Sequence, residues 1–168
     1  KELGMYENSM IIYTTDHGEP FAEHGIIRKS HPLLYEELVR IPLIIRHPEG
    51  FGAGQRFNQL IETTEIFPTI LDVLNVKVPP RVHGKSLLPL MKGDVDKLRD
   101  RVYMGYFKRC WRVNDYDWAF LLKFDKGKEN ELYDMKADPE MMNNVIDENP
   151  AKANELELDL RRFVANLR

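Results

Sequence analysis

Two apolar runs in the first third of the chain have the pattern of buried strands. Residues 10–14 and 43–45 are apolar and rich in β-branched side chains without alternation, which is typical of strands covered on both faces in a parallel sheet. The first run ends in a polar segment, residues 15–18. Because ligands bind at the carboxyl ends of strands in open α/β sheets, this segment is a candidate site.

Apolar residues at helical spacing predict helices elsewhere. A short helix is expected over 33–39, a second over 63–74 with a threonine cap, and a last one that begins at Asn149 and carries an apolar stripe to Leu167. Residues 79–93 predict a surface crossing. Residues 1–6 have the pattern of the end of a helix whose beginning is absent, so we expect the chain to be part of a longer protein.

Beyond Arg101 the pattern changes to short aromatic segments separated by Asn, Asp and Gly. These segments predict an antiparallel meander, with strands over 102–107, 111–113, 118–124 and 132–133. The predicted fold class is therefore α/β: residues 1–95 form part of a domain with a mostly parallel sheet. Residues 96–168 form a small α+β subdomain with an antiparallel sheet and a C-terminal helix.

Composition excludes several classes of protein. The chain has 24 Lys plus Arg against 27 Asp plus Glu, a net charge of −3, which argues against nucleic acid or an anionic membrane surface as the main partner. No run approaches the roughly 18 apolar residues of a membrane helix. A single cysteine, Cys110, excludes an internal disulfide and a Cys-rich zinc module, and we expect it to be structural. The compartment stays undetermined.

Asp16 and His17 pair a carboxylate with an imidazole, and together they could supply two ligands to a divalent ion. Neighbours on a regular strand point to opposite faces, so both reach one ion only if the strand has ended, which Gly18 allows. The alternative is a strand-end aspartate that caps nearby amides beside an exposed histidine.

His24, Lys29 and His31 also follow within fifteen residues of Asp16. A loop that returns to the mouth of the strand would make them a compact anion site. A solvated basic loop is the alternative, and the residues alone leave both open. Arg109 and Arg112, beside the sheet aromatic Trp111, could likewise form the rim of an anionic-substrate pocket.

Three segments together carry a family resemblance. Residues 14–50 have the sequence TTDHGEPFAEHGIIRKSHPLLYEELVRIPLIIRHPEG, residues 63–93 contain TTEIFPTILDVLNVKVP and HGKSLLPLMKG, and residues 130–145 have NELYDMKADPEMMNNV. In order and spacing they resemble the carboxyl-side part of the sulfatase family, in the alkaline phosphatase superfamily. The resemblance implies an alkaline-phosphatase-like sandwich and hydrolysis of sulfate esters of small molecules or carbohydrates.

The resemblance also implies roles for particular residues. Family members hold a divalent cation, usually Ca²⁺, with upstream aspartates and an Asp followed by Asn or His, which Asp16 and His17 match; Mn²⁺, Zn²⁺ and Mg²⁺ are alternatives. Lys29 lies 13 residues after Asp16, as the sulfate-contacting lysine of the family does. His31 matches a subgroup that uses histidine, so whether Lys29 or His31 contacts substrate is open. His83 matches a position near the cleft entrance and is expected to contact substrate.

The family nucleophile, a formylglycine made from C/S-x-P-x-R, has no counterpart in this sequence, because Cys110 lacks the Pro and Arg. We therefore expect the upstream half of the same catalytic domain to be a partner, and this chain alone to be inactive. Two other functions stay open: a phosphonate or phosphodiester hydrolase that uses manganese or zinc, and a noncatalytic sulfatase-like binding protein.

Overall fold

The computed structural model describes residues 3–29, 34–106, 109–124 and 127–167. Its elements follow the predicted order closely. In chain order they are β1 Ile11–Thr14, α1 Glu36–Val39, β2 Leu43–Arg46, a 3₁₀ turn Thr63–Glu65, α2 Ile66–Val73, α3 Leu88–Lys92, β3 Val102–Tyr106, β4 Cys110–Asn114, β5 Trp118–Lys123, β6 Glu131–Asp134 and α4 Pro150–Ala165.

The elements belong to two units. The first unit comprises Lys1–Asp16 and Pro42–Asp100, and the second comprises His17–Ile41 and Arg101–Arg168. The loop after β1 and helix α1 therefore pack with the aromatic meander. The domain boundary at residue 95 stays a prediction.

In the first unit, β1 and β2 pair antiparallel, with Ile11 opposite Arg46 and Thr14 opposite Leu43. Tyr13 and Ile44 are each 63% exposed. The expectation of a parallel arrangement is therefore wrong for this pair, because an apolar run without alternation indicates burial but does not specify the direction of the neighbouring strand. The exposure is that of this chain, which we expect to be part of a longer protein, so burial of the two strands on both faces stays a prediction.

Residues 3–6 form turns, and Gly4 has a φ of 63°, in the left-handed region at which helices commonly end. Because residues 1 and 2 lie outside the described ones, the predicted helix end over 1–6 stays a prediction. One other expectation in the first unit needs correction. The predicted surface crossing contains α3, whose Leu88, Leu90 and Met91 are buried. Proline in the first turn and Gly93 at the end, with a φ of 79°, provide the helix boundaries that the prediction overlooked.

In the second unit, the meander is confirmed as a four-stranded antiparallel sheet in the order β3-β4-β5-β6. β5 is covered on both faces. Its Phe120 and Leu122 pack with Leu156 and Leu160 of α4. Alternate residues point to the other face, where Leu121 packs in a cluster with residues from the segment before and within α1. Members of that cluster include Leu34, Tyr35, Leu38, Cys110, Ala119, Tyr133 and Met141.

Helix α4 begins at Pro150, with Asn149, the predicted first residue, as its N-cap. Trp111 and Trp118 are partly buried against the cluster that α4 covers, which agrees with a sheet-face role. Among the described residues, no helix is long and apolar enough to cross a membrane.

Candidate functional site

The chain turns sharply where β1 ends. The Gly18 amide donates a hydrogen bond to the Leu38 carbonyl at 2.8 Å. A Cβ at position 18 would lie 2.0 Å from the Glu37 carbonyl oxygen, so only glycine permits this close approach to α1. The contact fixes the backbone immediately after Asp16 and His17.

A short hairpin, residues 20–28, then reverses the chain. Its backbone bonds join the Ala22 amide to the Ile26 carbonyl at 2.9 Å and the Arg28 amide to the Pro20 carbonyl at 3.1 Å. The return brings Lys29 back beside His17, with Lys29 Nζ 2.6 Å from His17 Nε2. A cation thus lies next to the imidazole at the end of β1. For Lys29, this agrees with a loop that returns to the mouth of the strand.

These contacts assign the proton on the His17 ring. A lysine ammonium has three donors and no acceptor, so His17 Nε2 accepts from Lys29 Nζ. The proton of the neutral ring is then on Nδ1, which donates to the Gly18 carbonyl at 2.6 Å. Histidines that bind a metal through one nitrogen characteristically donate the other N–H to a backbone carbonyl or a carboxylate. His17 therefore has the tautomer and the orienting hydrogen bond that an Nε2 metal ligand needs.

Asp16 is exposed, and its Oδ1 accepts a hydrogen bond from the Thr15 hydroxyl at 3.3 Å. Within the described ranges, no group of three or more His, Cys, Asp or Glu side chains could hold a metal ion. Asp16 and His17 fit a divalent ion as part of a ligand set, since a carboxylate and an imidazole are both ordinary ligands. A complete coordination shell needs further ligands.

His24 does not face this site. Its side chain is 11% exposed, its ring stacks on Tyr35 with centroids 3.8 Å apart, and both ring nitrogens have partners. Nδ1 lies 2.8 Å from Glu37 Oε1 and Nε2 lies 3.0 Å from the Met141 carbonyl. Membership of His24 in an anion site is therefore wrong, and so is the alternative of a solvated loop at this residue.

His31 and His83 are the two remaining predicted site residues. His31 lies outside the described residues, so its role stays a prediction. His83 is exposed on the segment between α2 and α3, next to Gly84, where a Cβ would lie 2.0 Å from the Thr64 carbonyl oxygen. Its predicted substrate contact also stays a prediction.

Arg112 is fully buried, which corrects the alternative that placed it at a pocket rim. Its guanidinium pairs with Glu36, and it donates to the Leu34 carbonyl at 2.7 Å and to Asn114 Oδ1 at 2.6 Å. The sequence does not predict this buried role, because arginine is rarely fully buried unless it is paired. The position of Arg112 in β4 between the apolar residues Trp111 and Val113 is the one indication of burial, and strand alternation argues against it.

Burial of the Cys110 thiol outweighs the nearby cations, Lys123 and Arg112, which act to lower its pKa. Cys110 is 1% exposed, and burial raises its pKa to about 11. Reactive cysteines have lowered pKa values in cationic or helix-terminal surroundings. This agrees with a structural cysteine and not with a nucleophile.

Comparison with known proteins identifies the family. The family model for the N-sulphoglucosamine sulphohydrolase C-terminal region matches residues 22–168. The chain belongs to the sulfatase family. The match includes Lys29, while Asp16 and His17 lie shortly before its start.

Individual relatives agree with this membership. An N-acetylglucosamine-6-O-sulfatase of Bacteroides thetaiotaomicron is 33% identical over an alignment of 157 positions, and the match covers 87% of this chain and 28% of that protein. Arylsulfatase K of Canis lupus familiaris is 27% identical over 98% of this chain and 32% of its own length. The chain thus spans about a third of the relatives that it matches.

Solved structures share the fold. One protein in complex with its substrate, D-glucosamine-2-N,6-O-disulfate, matches with a TM-score of 0.86 and 33% identity over 96% of this chain and 35% of its own. A phosphonate monoester hydrolase of Agrobacterium radiobacter matches with a TM-score of 0.85 over 98% of this chain and 36% of its own. At 22% identity, this second match shows the fold alone.

Proposed function

We propose that the protein carrying this chain hydrolyses sulfate esters, and that Lys29 is the cation that contacts the sulfate group. The observation that carries the proposal is the contact between Lys29 Nζ and His17 Nε2 at 2.6 Å, in a chain of the sulfatase family. Sulfate esters carry negative charge that a lysine ammonium neutralises, and a cation held in place before the reaction stabilises charge that develops in the transition state.

We further propose that Asp16 and His17 belong to the divalent-cation site of the complete protein. When bound, the cation would polarise the sulfate oxygens. The His17 tautomer, with Nδ1 donating to the Gly18 carbonyl, supports His17 Nε2 as a ligand. Because His17 Nε2 cannot bind an ion and accept a hydrogen bond from Lys29 Nζ at the same time, the exposed, flexible Lys29 side chain would turn from Nε2 toward the sulfate when the ion is bound, while the hairpin keeps its backbone in place.

Ca²⁺ is the ion that the family resemblance favours, and the Asp16 carboxylate suits it. The imidazole of His17 is equally compatible with Mn²⁺ or Zn²⁺, and Mg²⁺ is the remaining alternative. Elemental analysis of the purified full-length protein distinguishes these ions directly.

A sulfated carbohydrate is the substrate class that we propose. A relative named as a sulfatase of N-acetylglucosamine and a similar structure with a disulfated glucosamine as its substrate support it. The nucleophile would come from another part of the protein, because Cys110 is buried with a raised pKa. This chain then supplies part of the cation site and the sulfate-contacting lysine, and the rest of the catalytic domain supplies the remainder.

The test uses the full-length protein with Asp16→Ala, Lys29→Ala and His31→Ala variants. Asp16→Ala should lose the bound metal and turnover while the fold is retained, because it removes a charged ligand. Lys29→Ala should lose about a hundred- to a thousandfold in kcat on a sulfated sugar, as removal of one preorganised donor typically does, and His31→Ala distinctly less. Arg161→Ala, at an exposed ion pair on α4, is the control.

Each other outcome has a defined meaning. Full metal occupancy in Asp16→Ala would refute its role as a ligand, and a larger loss in His31→Ala than in Lys29→Ala would move the sulfate contact to His31. Turnover of a phosphonate monoester in preference to the sulfate ester would support the alternative hydrolase. A full-length protein that binds sulfated sugar without metal or turnover would support the noncatalytic alternative.

A further inference from the structure

The hairpin that places Lys29 beside His17 has a strained backbone and an exposed surface. Ala22 and Arg28 have φ values of 83° and 67°, in the left-handed region that side chains other than glycine rarely adopt. Phe21 and Ile27, which form its isolated bridge, are 76% and 67% exposed. Within this chain, burial of these side chains therefore does not hold the hairpin in place.

His24, near the middle of the hairpin, contacts other segments of the second unit, to which the hairpin itself belongs. Its ring lies flat on Tyr35, at 9° between the planes, and each ring nitrogen faces an oxygen acceptor. The Glu37 carboxylate belongs to α1, and the Met141 carbonyl belongs to the segment between β6 and α4. The hairpin is thus tied to two separate segments of the second unit through one imidazole.

Both contacts require protons between the ring and its partners. The Met141 carbonyl only accepts, so Nε2 donates to it, and a second proton must lie between Nδ1 and Glu37 Oε1. A neutral histidine facing an ionised Glu37 has one proton too few for both bonds. A charged ring paired with the carboxylate satisfies both, and hydrogen bonds between charged groups are the stronger kind.

We propose that His24 is a positioning residue, which holds the 20–28 hairpin against Glu37 and Met141 and thereby fixes the place of Lys29 next to His17. The expected effect on turnover rests on the proposed function. The claim that His24 holds the hairpin does not depend on it. His24 touches no reacting group; its effect passes through the backbone between residues 24 and 29. A misplacement of about 1 Å in a reacting group can cost about a hundredfold in rate.

The structural part is tested by hydrogen exchange in the full-length protein, on a peptide covering residues 19–29. His24→Phe keeps an aromatic ring against Tyr35 but removes both hydrogen bonds. We expect the hairpin amides that donate within the turn to exchange at least about tenfold faster, while peptides from β4 and β5 keep their protection. Arg161→Ala serves as the control, since it breaks an exposed ion pair of the same unit.

A second pair of variants guards against failure of His24→Phe to fold. Glu37→Leu removes the carboxylate from the surface of α1, and Glu37→Gln keeps an oxygen acceptor in place. We expect Glu37→Leu to speed hairpin exchange and Glu37→Gln to restore much of the protection. Unchanged exchange in both His24→Phe and Glu37→Leu would overturn the inference.

The consequence for turnover is tested by a double-mutant cycle with Lys29→Ala. His24→Phe should lower kcat about a hundredfold with a smaller change in KM. The double variant should be no slower than Lys29→Ala alone, because a positioning residue has no effect once its target is gone. Losses that multiply would refute positioning of Lys29. If Lys29→Ala itself keeps full turnover, the proposed role of Lys29 is wrong, and hydrogen exchange alone decides whether His24 holds the hairpin.

Discussion

Replacement of Arg112 by methionine should destabilise the second unit strongly. The Arg112 side chain is 0% exposed and its Glu36 partner is 19% exposed. Methionine has a similar length and no charge, so Arg112→Met removes the cation without leaving a large void. It leaves the Glu36 carboxylate, the Leu34 carbonyl and Asn114 Oδ1 without the donor that each now has.

The expected cost follows from these partners. Removing one member of a buried ion pair typically costs about 3–5 kcal/mol, because the other charge stays buried without compensation. Each neutral acceptor that loses its donor adds about 1–3 kcal/mol when it stays buried, although these costs are not additive. We therefore expect a loss of about 3–5 kcal/mol in the free energy of unfolding. For a unit of this size that corresponds to at least about 12 °C in Tm.

Urea unfolding followed by tryptophan fluorescence measures this cost. The chain has two tryptophans, and both Trp111 and Trp118 lie in the antiparallel sheet, so the signal comes from the second unit. The matched control is Arg161→Met, which removes an arginine from an exposed i,i+4 pair with Glu157. Pairs of that kind contribute about 0.3–0.5 kcal/mol.

A second substitution separates the charge from the packing. In the Arg112→Met background, Glu36→Gln removes the uncompensated carboxylate, so it should recover about 1 kcal/mol or more, although Glu36→Gln alone should destabilise. If Arg112→Met costs no more than Arg161→Met, the reasoning from the buried ion pair is refuted. If Glu36→Gln brings no recovery, the cost comes from packing and not from charge.

Three further predictions concern pH, the cysteine and the exposed apolar surface. Burial alone would raise the pKa of Asp115, but the Lys152 ammonium and two backbone amides lower it. The stabilisation from this carboxylate is therefore complete above the ordinary pKa of about 3.9 and is lost as pH falls through the lowered value. Asp115→Asn should flatten the acid limb of the free energy of unfolding against pH, and an unchanged limb would contradict this. Because burial raises the pKa of Cys110 to about 11, alkylation at pH 8 should be at least about a hundredfold slower in the folded chain than in urea, and equal rates would contradict it. Since Tyr13 and Ile44 are largely exposed, this chain alone should bind an apolar dye, and a cooperative melt without dye binding would contradict this. The chain alone should also show no hydrolysis of aryl sulfates, because we expect the nucleophile to lie outside it, and measurable hydrolysis would contradict that.

The sequence predicts the second unit better than the first. Aromatic segments separated by turn residues specify the meander, and the apolar stripe after Asn149 specifies α4, because both patterns are local. The direction in which β2 pairs with β1 depends on neighbours far along the chain, and no local pattern encodes it. Helix α3 has five residues, which are too few for a periodic signal, so only Pro89 and Gly93 indicate its ends.

The sequence predicts only part of the candidate site, because the site too depends on contacts between distant residues. A loop that returns Lys29 to the end of β1 is one of two possibilities that the residues leave open, and in the structure Lys29 Nζ lies 2.6 Å from His17 Nε2. The residues alone do not separate Lys29 from His24, since both are basic residues of the same loop, and only the family resemblance favours Lys29. What separates them is the acceptor pair of Glu37 and Met141, and Met141 lies 117 residues away.

The one-turn helix α1 connects these observations. Four residues are too few for a stable helix on propensity alone, and α1 has no side-chain N-cap hydrogen bond. Its stability must come from tertiary contacts, which are the burial of Leu38, the pair of Glu36 with Arg112 and the pair of Glu37 with His24. Adjacent carboxylates on α1 thus face the sheet and the hairpin respectively. Because one short helix takes part in both contacts, loss of Arg112 should also speed hydrogen exchange in the hairpin, whereas loss of His24 should leave β4 protected.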